Sequence, residues 1–234
     1  MTTNSSSSAK GLSSQFSSAA IKEHYYNIVA AKNRWEEQGF MFDDNLENYG
    51  LEPIIYKRLN DLSWLQFGRN SAKANLNWVR EFYAHNAEGN DTVHVRGRRV
   101  SANSATINNL LDLANNNPNI YELIDILEDE DFNTIKDQLC KPGTEWNTKG
   151  KNPGTISRSC LQPEAQLWNT FLKRNLMPTS HNQTVDRTRL VLINAIITRY
   201  KLNIGEVIAK ELTKACHNDK GILAFPCILS SLYR

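Results

Sequence analysis

The sequence predicts a mainly α-helical domain with one small β-hairpin, preceded by a disordered serine-rich tail. Three observations carry that reading. Apolar residues recur at helical spacing in one stretch after another, one stretch alone alternates with the period of a strand, and the first residues hold almost nothing that can be buried. The expected organisation is a tail over residues 1–17 and a single domain over 18–234, built from roughly eight to ten helices.

The tail, "MTTNSSSSAKGLSSQFSSAA", is too poor in large apolar side chains to offset the entropy of ordering it. From there Ile21, Tyr25, Ile28, Val29 and Trp35 recur at roughly helical spacing up to Gly39, which predicts a first helix over about 18–38. Pro53 suits the first turn of a short helix carrying Ile54, Ile55 and Leu59, and "DLSWLQFG" follows as a second short piece. Ser71 is a suitable cap for the next helix, whose face is Leu76, Val79, Phe82 and Tyr83; "EGND" ends it. The β signal is "TVHVRGRRVS", a hairpin over about 92–101. Two registers fit. A loop at Arg96-Gly97 sets Val93 opposite Val100, and a loop at Gly97-Arg98 sets Val95 opposite Val100 but Arg96 against Arg99, so the first is favoured.

Asn103 is placed to cap a helix whose buried face is Ile107, Leu110, Leu111 and Ala114, broken by "NNNPN". "YELIDILEDEDFNTIKDQLC" reads as one or two helices burying Leu123, Ile126, Leu127, Ile135 and Leu139, and "KPGTEWNTKGKNPGT" reads as loop throughout. The last third is the most strongly patterned. Pro163 opens a helix with Leu167, Trp168, Phe171, Leu172 and Leu176, closed by Pro178; "PTSHNQT" connects it to a helix over about 185–200. That second helix is apolar nearly all round at "LVLINAII", as a helix enclosed by others would be. Asn203-x-x-Glu206 opens a third, burying Ile204, Val207, Ile208, Leu212 and Ala215. A final helix from about Pro226 meets the chain end without a stop signal, so the domain is expected to be cut at its C-terminus. The tryptophans and tyrosines fall on apolar faces and read as core.

Charge and motifs narrow the chemistry. Lys+Arg of 27 against Asp+Glu of 25 leaves a formal charge of +2, too little for a bulk field that holds nucleic acid, so any such contact is local. The compact basic cluster is Arg96, Arg98 and Arg99 on the hairpin, the candidate nucleic-acid-binding residues, weighed against the charge that exposed hairpins carry to blunt their edges. The helical pair around Lys201, Lys210 and Lys214 has a helix-turn-helix outline, which is also ordinary core architecture. His181 with Thr179, Ser180 and Asp186 suggests a nucleophile and its base, but residues this close in sequence after a proline are expected to be turn and cap. The run Glu128, Asp129, Glu130, Asp131, like Asp43, Asp44 and Glu47, reads as solvated helix end or turn rather than a magnesium site.

Cys140, Cys160, Cys216 and Cys227 lack C-x-x-C spacing, and no G-x-x-x-x-G-K, G-x-G-x-x-G or H-E-x-x-H occurs. No catalytic residue, metal or cofactor is therefore assigned. "LVLINAII" is too short to span a bilayer, and no signal segment is seen, so the expectation is an intracellular protein without a membrane partner, nucleus and cytoplasm being equally open.

The blocks "NWVREFYAHN", "VHVRGRRVSANSATINNLL", "LQPEAQLWNTFLKRNLMPTSHNQTVDRTRLVLINAIIT", "NIGEVIAKEL" and "GILAFPCIL" occur in an order that resembles the plant transposon-protein domain family, open reading frames often derived from retroelements. The resemblance runs from about Trp64 to the end, and its third block is the most specific. It implies a mobile-element origin in a plant and brings no active site with it. The chain departs from the family in its asparagine-rich loop after Ala114 and in halting at Arg234, where related frames continue. The leading expectation is a non-enzymatic structural or interaction module that self-associates. Nucleic-acid binding stands second, and a metal-dependent nuclease or transposase-like enzyme last.

Overall fold

The computed structural model describes residues 16–35, 52–65, 67, 73–115, 117–148, 153–179, 183–219 and 221–234. The expected tail up to residue 15, the Gly39 stop and the Asp43, Asp44, Glu47 cluster lie outside them. Phe16, placed by the sequence reading in the tail, is buried, with its ring 5.0 Å from that of Tyr25 and stacked 6.1 Å from His85.

The first helix is shorter than its apolar pattern suggests. α1 is Ala19–Asn27, capped by Ser18 Oγ, and a 3₁₀ turn at Val29–Ala31 follows. The apolar residues beyond Asn27 serve a different geometry: Trp35 donates its backbone N–H to Leu223 O (3.0 Å), and Leu223 donates to Asn33 O (2.9 Å). The chain thus turns extended to pair with a distant segment, a contact no local propensity reports. α2 (Glu52–Asp61) buries Ile55 and Leu59 while Ile54 and Tyr56 stand exposed. α3 (Leu76–His85) is capped by Asn75, whose Oδ1 accepts from the amides of Asn77 and Trp78; Ser71, the expected cap, lies outside the described residues.

The hairpin pairs β1 (Thr92–Val95) with β2 (Arg98–Ser101) in the favoured register, Val93 opposite Val100. Both loop residues are left-handed, Arg96 at φ 51° and Gly97 at φ 74°, the requirement of a two-residue turn that follows the strand twist. Val93, Val95 and Val100 face inward onto α3, and His94 and Arg99 face water.

α4 (Ser104–Leu111) starts at the predicted Asn103 cap and stops at Asp112 in the left-handed region, so Ala114 lies past its end and is exposed. The next segment is two helices, α5 (Ile120–Ile126) and α6 (Asp129–Leu139). Ile126, expected in the core, is 75% exposed because α5 ends there, and Ile120 and Phe132 are buried instead.

A second two-stranded ribbon pairs β3 (Thr155–Ser157) with β4 (Thr184–Asp186), placing Ile156 against Val185, both fully buried. Each strand has three residues, too few to show a period of two. It corrects two expectations: Thr155, read as loop, opens a strand, and the helix expected from Val185 begins two residues later as α8 (Arg187–Thr198). α7 (Pro163–Asn175) carries Pro163 in its first turn. α8 packs on α5, α6 and α7 with Leu190 through Ile193 buried, as its all-round apolarity requires. α9 (Ile204–His217) lies along α4, and α10 (Pro226–Leu232) along α3. The core therefore runs continuously from the Phe16 and Val29 end to the α8 end. Trp64, Tyr83 and Trp168 belong to it, whereas Tyr26, Tyr56 and Tyr200 are exposed, contrary to the reading of aromatics as core.

Candidate functional site

The residues singled out by the sequence do not converge; most are consumed in holding elements together. Arg96 reaches from the hairpin turn to the fully buried Glu81 of α3, donating through Nε to Oε2 (2.6 Å) and through Nη2 to Oε1. That pairing holds the arginine above its ordinary pKa. Arg98 donates to Tyr233 O (3.0 Å) with its guanidinium 5.8 Å from the Tyr233 ring centre. Arg99 points outward from β2. The three candidates thus share one hairpin but take up three environments.

Asp186 is a cap: its Oδ1 accepts the Arg189 amide at 2.8 Å. Ser180 and His181 lie outside the described residues. Asp131 Oδ2 accepts the Glu128 amide (2.9 Å), and Asp129 pairs with Arg187 (2.8 Å), whose guanidinium is 4.6 Å from the Phe132 ring and 5.4 Å from the Trp146 ring. Those acids serve the start of α6 and its contact with α8. Among the described residues no group of three or more His, Cys, Asp or Glu gathers at metal-ligand spacing. Lys210 lies 3.9 Å from the Tyr121 ring centre, and Lys214 bonds Glu211 at 2.6 Å. Cys216 is buried, and burial pushes its thiol up to about 12; the adjacent His217 turns instead to Glu88 O (3.0 Å).

What the sequence reading missed is an open groove of about 470 Å³ between β3, α7 and the residue that leads into β4. It is lined by Ser157, Arg158, Ser159, Gln166 and Gln183. The short ribbon makes it: Arg158 donates its amide to Gln183 O (2.8 Å), which draws the two chain segments together, and its Nη2 donates to Thr170 Oγ1 (3.1 Å) on α7. Gln166, Thr170 and Lys173 follow one another at i+4 and i+3 on that helix, so they share one of its faces. Burial, with the like charges of Arg158, Arg189 and Arg174, holds the Lys173 ammonium below its ordinary pKa. These four cations are separated by as many as 31 residues in sequence, which is why no linear charge cluster announced them.

Residues 60–234 match the family described as "Putative plant retrotransposon-related domain". The chain belongs to this plant retrotransposon-related family. It is a transposable-element-derived protein, in keeping with the resemblance carried by its sequence blocks. No curated protein and no solved structure matches it. The stretch shared with the retrotransposon-related family begins at the end of α2 and takes in the hairpin, the second ribbon and the groove, while the segment 16–35 packs onto it from outside. No helix among the described residues is long and apolar enough to cross a membrane.

Proposed function

We propose that this transposable-element-derived domain is a non-enzymatic interaction module that assembles with further copies of itself. The observation that carries the reading is the use made of polar residues in the family blocks. Arg96 holds Glu81, Asp186 and Asn103 cap helices, and Asn108 and Asn203 bridge α4 to α9. Groups committed to capping and bridging are set by the fold rather than poised for proton transfer or attack, which ask for a nucleophile and base within reach of each other and of a substrate. Exposed Tyr26, Ile54, Tyr56, Ile126 and Tyr200 offer apolar area that association would bury.

Sedimentation velocity across the micromolar range tests it. Weight-average mass is expected to rise with concentration, and Tyr56→Glu with Ile126→Glu to hold the protein as monomer. A single monomeric species at every concentration overturns the reading.

A further inference from the structure

We propose that copies of this chain associate head to tail, the β1–β2 hairpin of one docking on the corner where α5 meets α6 in the next. This rests on the self-association proposed above and names the two faces that make it.

The corner is an apolar projection set in negative charge. Ile126 ends α5 with 75% of its surface exposed, and Leu123 and Leu127 beside it are only half-buried. Between residues 120 and 135 the chain carries six carboxylates, at Glu122, Asp125, Glu128, Asp129, Glu130 and Asp131, and no lysine or arginine. Asp129 is paired with Arg187, and Asp131 accepts the Glu128 amide. Glu122, Asp125 and Glu130 face water and make no ion pair among the described residues.

The hairpin is the complement. Residues 92–101 hold Arg96, Arg98 and Arg99 with no acidic residue, and all three arginines are exposed. Arg96 is neutralised by Glu81, whereas Arg98 donates to an uncharged carbonyl, Tyr233 O, and Arg99 makes no ion pair among the described residues. The hairpin packs on α3 and the corner on α8, so one chain carries the two surfaces on separate elements. An acidic face meeting a basic one is a heterologous contact, and it continues into a chain of copies or closes as a ring. Opposite charge sets the register and speeds encounter, while the aliphatic stems of Arg98 and Arg99 cover Ile126, whose burial supplies the apolar part. A nucleic acid would meet the arginines but be repelled by the corner and leave Ile126 bare. A second copy accounts for both faces.

Sedimentation velocity of the full chain at low and high salt, with charge-reversed variants, tests this. The parent protein should associate about tenfold more weakly in ~0.5 M than in ~0.05 M salt. Glu122→Lys with Asp125→Lys, and separately Arg99→Glu, all on exposed side chains, should each be monomeric at concentrations where the parent associates. Mixed in equal amounts, the two variants should associate again, because each supplies the face that the other has lost. A mixture that stays monomeric, or variants that associate by themselves as the parent does, overturn this proposal and leave self-association standing on another surface. A parent that is monomeric throughout overturns both readings. In that case a fluorescein-labelled single-stranded DNA bound by the parent and not by Arg99→Glu would assign the hairpin to nucleic acid instead.

Discussion

Arg96 shows how a residue chosen for its charge can belong to the fold. It sits at φ 51° in a turn that needs left-handed backbone, a conformation that costs a residue with a Cβ about 1 kcal/mol. The fork it makes on Glu81 offsets that cost and neutralises a carboxylate that has no exposure at all. Removing Arg96 would take from the buried carboxylate the guanidinium fork that neutralises it. Arg96→Ala is therefore expected to destabilise by about 2–3 kcal/mol, below the value for a fully enclosed pair because the arginine itself is half exposed. Arg99→Ala, on the outer face of the same hairpin, should change stability by less than about 0.5 kcal/mol. Urea unfolding of the two variants checks the contrast, and equal midpoints would show that the Glu81 pairing does not support the fold. The charge of both residues was legible in the sequence; that one of them has a buried partner 15 positions away on another element was not.

At the scale of elements, α4 and α9 are held by an asparagine junction rather than by apolar contact alone. Asn108, fully buried, donates to Asn203 Oδ1 (2.8 Å) and accepts the Gly205 amide (2.7 Å), and Ser104 Oγ donates to the same Asn203 oxygen (3.0 Å). Asn203 is also the cap of α9, so one side chain both starts a helix and fixes its crossing. Gly205 is required by closeness: a Cβ there would lie 2.3 Å from Ser104 O and 2.6 Å from Asn108 Oδ1. Gly205→Ala would push the helices apart and is expected to cost about 3 kcal/mol, the upper part of the usual overpacking range. A thermal midpoint equal to that of the parent protein would contradict this. The Asn103 and Asn203 caps of α4 and α9, and Pro163 in the first turn of α7, could be read from sequence because each acts within three residues of itself. The β3–β4 ribbon could not, because strands of three residues carry no period and their partners lie almost thirty positions apart.

At the scale of the molecule, the stretch shared with the family is not the whole folding unit. Val29 is fully buried, Phe16 nearly so, Asn33 and Trp35 pair with Leu223, and Trp35 Nε1 donates to Arg174 O (2.8 Å). A chain beginning at residue 52 would leave those surfaces uncovered and Leu223 unpaired. Burial of two such side chains, at about 2 kcal/mol each, predicts a loss of about 4 kcal/mol, read as a lower urea midpoint for residues 52–234 than for the full chain. An unchanged midpoint would show that the first segment is an accessory to the fold. The same placement sets Trp35 against the backbone of Arg174.

By itself the sequence determined the helical class, the hairpin and its register, the enclosed position of α8, most helix starts and the mobile-element origin. Each of these is written in residues that act on near neighbours: apolar side chains repeating with the turn of a helix, a cap and the amides it accepts, a glycine after a turn. The tertiary structure decided which charges are spent and which are gathered. Glu81 fixes Arg96 to α3, and the fold sets Arg158, Arg174 and Arg189 close enough to Lys173 for their charges to act on it. Electrostatic association depends on distance in space, and distance along the chain carries no record of it.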